Sequence, residues 1–279
     1  MESPAKRLGE ALTVVVPTLN SAGTLDWTLA SLCSHTAIRV IVADSYSTDG
    51  TADVCRRWNV ETISVPAGNM YKAINAGLRL ARTDWLSYVN SDDWVFTSSY
   101  AKMLEMAIQG GADVVYGSAD YVDESGRFLF SHLPSSPATA RRIWRAGIMP
   151  FCQPAAIFSR KVFEALNGFD ERYKAASDFD FFCRAAMLNY PVRRFDSQPV
   201  AAFRLHNNQL SIRGASLARQ EKAKIEDRLR LNHNFSDKCA FFFWRLASSV
   251  SYAERVLRIY QLSGKLAGRG SSSTPPLYK

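Results

Sequence analysis

Apolar residues in the first half of the chain follow two alternating rhythms. Leu12 to Val16 is a short β-branched run closed by Pro17-Thr18-Leu19-Asn20, after which Leu25, Leu29 and Leu32 recur at helical spacing, with Ser21 and Thr24 available as caps. Val40 to Ala43 is a second such run. It enters the polar turn from Asp44 to Thr51, and Val54 and Trp58 mark the inner face of the helix this turn opens. Thr62 to Val65 predicts a third strand, and Met70, Ile74, Leu78 and Ala81 predict a helix leading to the run from Trp85 to Val89. Strand, Asx-rich turn and helix in repetition mark parallel βαβ units. The expected fold class is therefore α/β, a mostly parallel, doubly wound, Rossmann-like sheet of the nucleotide-binding kind.

The run beginning at Trp85 ends in Asn90-Ser91-Asp92-Asp93. A buried strand delivers this pair to its C-terminal edge, where open α/β sheets bind ligands. Two adjacent carboxylates repel unless a cation or proton lies between them, so the pair is either a hydrated turn or a divalent-metal site. Neither Gly-x-Gly-x-x-Gly nor a Lys-bearing phosphate loop is present. A bound diphosphate would need another source of neutralisation, and a metal on Asp92 and Asp93 is the natural candidate.

The second half predicts a helix from Tyr100 to Gln109, a strand from Asp113 to Tyr116 and a hairpin around Asp123-Glu124-Ser125-Gly126. Pro134 to Ala140 is expected to be a mobile Pro/Ser-rich connection. Ala155 to Phe158 predicts a strand, and Arg160 to Leu166 a short helix stopped by Asn167-Gly168. Phe181, Ala185 and Leu188 share one helical face, which puts Asp178 in that helix's first turn, where backbone amides favour the ionised carboxylate. Val192 to Phe195 and Val200 to Arg204 are late strands, followed by a polar loop containing His206. Two amphipathic helices, Ala215 to Leu231 and Lys238 to Leu262, complete the pattern. This divides the chain into a catalytic domain over 1–211, basic amphipathic helices over 212–262 and a disordered tail over 263–279.

Composition narrows the function classes. Five widely spaced cysteines without a Cys-x-x-Cys pair argue against a disulfide framework or thiolate zinc site. No signal-like or membrane-spanning apolar stretch is seen, so the expected location is cytoplasmic. The net charge of +8 is concentrated: residues 212–279 hold 13 Lys and Arg against 5 Asp and Glu, while the preceding residues balance. Such a tail suits anionic lipid headgroups, making peripheral contact with the inner face of a plasma membrane through 238–262 an expectation. No nucleic-acid-binding motif accompanies it. A homodimer is also open, with the tail meeting a second subunit.

Taken together, six motifs in order resemble family 2 glycosyltransferases of the GT-A fold over about 12–211. They are Val15-Val16-Pro17-Thr18-Leu19-Asn20, Asp44 to Thr51, Tyr71-Lys72-Ala73-Ile74-Asn75-Ala76-Gly77, Asn90 to Asp93, Asn167-Gly168-Phe169-Asp170 and Ser177-Asp178. Asn90 replaces the first Asp of the family's metal motif, and Ser177 replaces the Glu before its base. The resemblance implies inverting transfer of a sugar from a nucleotide-diphosphate donor, with UDP the leading nucleotide, to a saccharide or lipid-linked acceptor. It implies that Asp92, Asp93 and His206 hold Mn²⁺ or Mg²⁺, with an imidazole favouring Mn²⁺. It implies Asp178 as general base, with Asp180 its competitor, and its place in the helix would keep its pKa low. Pro17, Thr18, Asn20, Asp44, Lys72, Asn75, Asn90, Ser91 and Asp92 would contact the donor. Trp94 and Trp144 could stack on acceptor sugars, with core packing the better reading of Trp94, and Arg141, Arg142 and Arg145 lie beside Trp144 to meet a lipid-linked diphosphate. The competing readings are a nucleotidyltransferase and a non-catalytic nucleotide-sugar binding module.

Overall fold

A computed structural model describes residues 11–145, 147–206, 209, 213–231 and 235–247. Strand β1 (Leu12–Thr18) is buried throughout and lies inside a seven-stranded sheet. Its neighbours are β2 (Ile38–Asp44) and β4 (Trp85–Tyr88), both parallel to it, and β3 (Glu61–Ser64) follows β2. Beyond β4 come β9 (Ala156–Ser159), β6 (Val114–Tyr116) and β10 (Val192–Arg194), with β9 the one reversed strand.

Side-chain alternation along β1 feeds two cores. Val15 faces a layer built on α3 (Met70–Leu80) and α7 (Ser177–Met187), rich in Phe158, Phe169, Phe181 and Phe182. Leu12, Val14 and Val16 face α1 (Leu25–Cys33) and α4 (Thr97–Ile108). Helices on both faces are what a buried parallel sheet requires. On the first face α3 comes so close to β1 that a Cβ on Gly77 would lie 2.7 Å from Val15.

A second sheet, in the order β5 (Trp94–Val95), β11 (Ala201–Arg204), β7 (Ala119–Val122), β8 (Phe128–His132), stands beside the tip of β4. The expected hairpin at 121–130 is its β7–β8 pair. The antiparallel pairing of Ala202 with Trp94 brings the end of β11 back against the acidic turn.

Two expectations need correction. The connection at 134–140 is not a loop: α5 (Pro137–Arg145) forms there, with Ala140, Ile143 and Trp144 buried. Leu188 is 60% exposed because α7 ends at Met187, so the apolar face stops a turn early.

The charged segment after residue 212 is woven into the body. In α8 (Ala215–Arg228), Ile225 is fully buried, and the Glu221 carboxylate accepts the N–H groups of Lys174, Ala175 and Ala176 at 2.8, 2.8 and 3.1 Å. Of the second expected helix, α9 (Phe235–Ala247) is seen; 248–262 and the tail lie outside the described residues.

Candidate active site

The C-terminal ends of β1, β2 and β4 lie at one edge because Thr18 is in register with Asp44, and Val15 with Tyr88. Side chains stitch the three loops beyond them. Asn20 Oδ1 accepts the Thr48 N–H at 2.8 Å, the Asn20 N–H donates to Ser47 Oγ at 2.8 Å, and Ser21 Oγ is 2.8 Å from Ser91 Oγ. Asn20 adopts a positive φ of 51°, which an Asn tolerates well. The Asp44 carboxylate accepts the N–H and hydroxyl of Ser47. Asp49, not Asp44, bonds the first N–H of α2 (Thr51–Trp58).

The acidic turn divides its two carboxylates. Asp92 is half-buried, and its Oδ2 lies 2.7 Å from His206 Nε2 across 114 residues of sequence. Asp93 is 1% exposed and turned inward, where it accepts the Arg204 N–H at 3.0 Å and the Asn90 amide at 3.2 Å. Burial, then repulsion from Asp92, pushes the Asp93 carboxyl well above the usual carboxylate range. Asp93 is therefore a brace: it joins the end of β11 to the turn and so brings His206 onto Asp92. Of the three residues expected to hold a metal, the structure brings Asp92 and His206 together and turns Asp93 inward. Asn90 Oδ1 is buried without a partner among the described residues.

A second carboxylate faces the same edge. The Asp178 Oδ1 accepts the Phe179 N–H at 2.8 Å and the Tyr71 hydroxyl at 3.1 Å. Tyr71 and Tyr88 both pack against Phe169, with ring centroids 5.8 and 5.4 Å from it. Both bonds to Asp178 favour its charged form, yet desolvation outweighs them and its carboxyl is raised above the usual range. The low value expected from the helix N-terminus does not arise. Two residues on, Asp180 is fully buried and bonds Arg184 at 2.7 Å and also Arg228, so it faces the core as the helical turn requires. Tyr88 lies within electrostatic reach of both Asp178 and Asp93, which puts the base candidate and the acidic turn at one site.

Several motif residues turn out to build the site rather than line it. Asn75 is fully buried; its amide donates to Phe169 O at 2.8 Å and Glu171 Oε1 at 2.9 Å, and its Oδ1 accepts the Phe169 N–H at 2.9 Å. A Cβ on Gly168 would lie 2.7 Å from that Oδ1, and its φ is +75°, so glycine is required there. Phe169, thus fixed, packs against Tyr71 and edge-on against Tyr88, with centroids 5.8 and 5.4 Å away. The expected donor contact of Asn75 is corrected accordingly. Pro17 and Thr18 are buried too, Thr18 Oγ1 bonding Val16 O at 3.1 Å, which leaves Asn20 to present that turn. Lys72 is exposed on α3. Ser177, buried, ties α7 to Asp170 O at 2.9 Å.

Trp94 lies in the core as its preferred reading has it, and Trp144, expected in an acceptor loop, is buried as well. Trp144 is 1% exposed and packs edge-on against Phe151, and Trp94 stacks with Trp27 around the Arg204 guanidinium. Residues that sequence reasoning missed are Tyr71, Tyr88 and Gln153, whose amide donates to Tyr88 O at 2.9 Å. Tyr71 carried one signal, its place beside Lys72 in a motif already singled out.

The fold is that of the GT-A glycosyltransferases. The sequence profile described as "Glycosyl transferase family 2" matches residues 13–166, and the chain belongs to that family. A "PGL/p-HBAD biosynthesis glycosyltransferase" of Mycobacterium bovis is 25% identical over 201 residues, 68% of this chain and 75% of the relative. Among solved structures, S. aureus TarS in complex with UDP-GlcNAc superposes with a TM-score of 0.59 at 21% identity, covering 71% of this chain and 60% of its own. The mannosyltransferase PcManGT of Pyrobaculum calidifontis, in complex with GDP-Man and Mn²⁺, has a TM-score of 0.59 at 18% identity, covering 93% and 76%. At these identities the structures establish the fold.

Proposed function

We propose that this glycosyltransferase is inverting and moves a sugar from a UDP-sugar to a hydroxyl of a saccharide or lipid-linked acceptor in cell-surface polysaccharide or glycolipid synthesis. One observation carries the reading: Asp92 meets His206 in the turn after β4, and Asp178, held by Tyr71, lies within electrostatic reach of Tyr88 at the end of that strand.

The donor set fits a divalent cation. A carboxylate oxygen and an imidazole nitrogen already lie 2.7 Å from each other, beside a second carboxyl that burial and then repulsion from Asp92 drive toward its neutral form. Among the described residues no group of three or more metal-binding side chains occurs, so the remaining ligands would be donor phosphate oxygens and water, a common arrangement for Mg²⁺ and Mn²⁺. Asp92 and His206 would hold the ion, which supplies Lewis-acid neutralisation of the leaving diphosphate. The Mn²⁺ bound by PcManGT supports this choice.

Asp178 performs the proton transfer. Its Oδ1 is committed to Tyr71 and Phe179, leaving Oδ2 to receive the acceptor's hydroxyl proton as the acceptor oxygen bonds the anomeric carbon and the nucleoside diphosphate departs. The raised pKa suits a base that must hold the proton it takes. Asn20, Asp44, Asn90 and Ser91 frame the nucleoside, with Lys72 near the phosphates. The test is transfer from a panel of nucleotide sugars with Mn²⁺, repeated on Asp178→Asn. Turnover should fall by about 10²–10⁴-fold while calorimetry shows donor affinity retained. Retained turnover in that variant, or wild-type binding without turnover, refutes the proposal, the latter in favour of a binding module.

A further inference from the structure

Helix α9 rests on α5 and turns a distinctive face to solvent. Arg142 of α5 donates to Ser236 O at 2.6 Å and meets Asp237 at 3.3 Å, and the Trp244 ring lies 6.1 Å from His132 of β8. The opposite side carries Phe235, Phe242, Phe243 and Leu246, which are 83, 62, 65 and 57% exposed, together with exposed Lys238 and Arg245. Single exposed apolar residues are ordinary; four on one thirteen-residue helix make a contiguous binding face. The sole acid of α9, Asp237, is 2% exposed and held by Arg142, so every formal charge on the outer face is positive.

We propose that this face docks on an anionic lipid surface, with α9 lying in the plane of the interface. Thirteen residues reach about 20 Å, too short to cross a hydrocarbon core of about 30 Å. Among the described residues no helix is long and apolar enough to span a membrane. Phenylalanines flanked by Lys and Arg are the composition of an interfacial helix. The following sequence, 248–279, carries five Lys and Arg against one Glu, the same sign of charge. A second copy fits this face poorly, since a two-fold contact would set Lys238 and Arg245 against themselves. Helix α5 in turn packs on α7, where Cys183 Sγ lies 3.9 Å from Trp144 O, so docking would hold the helix bearing Asp178 at the bilayer.

The test uses the full chain, without donor, and is thereby independent of the transfer reaction. It is sedimentation with phosphatidylcholine vesicles containing or lacking phosphatidylglycerol. Binding should require phosphatidylglycerol and weaken with salt. Phe242→Ser/Phe243→Ser should lower partitioning by about tenfold or more at unchanged thermal stability. Lys238→Glu/Arg245→Glu should also lower it. No phosphatidylglycerol-dependent binding overturns the proposal, and so does binding that survives the serine variant, which would be adsorption by charge alone. A wild-type dimer that the serine variant converts to monomer, with no vesicle binding, assigns the face to a second copy and overturns it as well.

Discussion

The acidic turn after β4 and the head of α7 each carry two carboxylates close in sequence, and the structure treats both pairs alike. Asp92 and Asp178 face the sheet edge; Asp93 and Asp180 are buried and fully engaged. The partners differ. Asp93 is held by a backbone N–H and a neutral amide, and these together with the Arg204 guanidinium do not offset burial and the repulsion from Asp92, so its carboxyl is driven upward. Asp180 is flanked by two guanidinium groups, which oppose but do not cancel the same desolvation. In each region one carboxylate anchors the backbone so that the other can be presented: Asp93 positions Asp92 and His206, and Asp180 with Arg184 and Arg228 fixes the helix bearing Asp178.

Breaking the Asp180 anchor should have the largest effect on folding. Asp180→Ala removes the buried carboxylate shared by Arg184 and Arg228 and should cost about 3 kcal/mol in denaturant unfolding, whereas Asp178→Asn should leave stability nearly unchanged. Equal costs at both sites would erase the distinction. At the other pair, Asp92→Asn should raise the Mn²⁺ concentration for half-maximal activity by about tenfold or more, as expected for a lost ligand. Asp93→Asn should change it by no more than a few-fold, because an amide oxygen can still accept the Arg204 N–H. The reverse ranking would make Asp93 the ligand. The smallest effect is a shift in pH dependence. Asp178 works deprotonated, so activity should rise with pH through its raised pKa. The Tyr71 hydroxyl favours the charged form; Tyr71→Phe should move this acid limb upward by about one unit or less. A downward shift would mean that Tyr71 does not donate to Asp178.

Much of this was legible in the chain. The strand, turn and helix order through β4 follows from local periodicity, and the motifs around Asp92 and Asp178 marked both presented carboxylates. The roles inside the motifs were less readable. Asn75 and Gly168 lie 93 positions apart, and nothing local tells that one exists to seat the turn containing the other. The Pro/Ser composition of 134–140 resembles a loop, but burial of Ala140, Ile143 and Trp144 makes the segment from Pro137 helical: tertiary packing overrides propensity. Phe242, Phe243 and Trp244 are consecutive aromatics in α9, yet packing turns Trp244 onto His132 and leaves Phe242 and Phe243 outward.

The sequence by itself determined a doubly wound sheet with acidic residues at its strand ends, because side-chain period and turn chemistry act over a few residues. Only the tertiary structure decided which acid of each pair faces a ligand and that His206 meets Asp92. That choice depends on β11 pairing with β5 and on which carboxylate finds donors once desolvated, and neither is a local property of the chain.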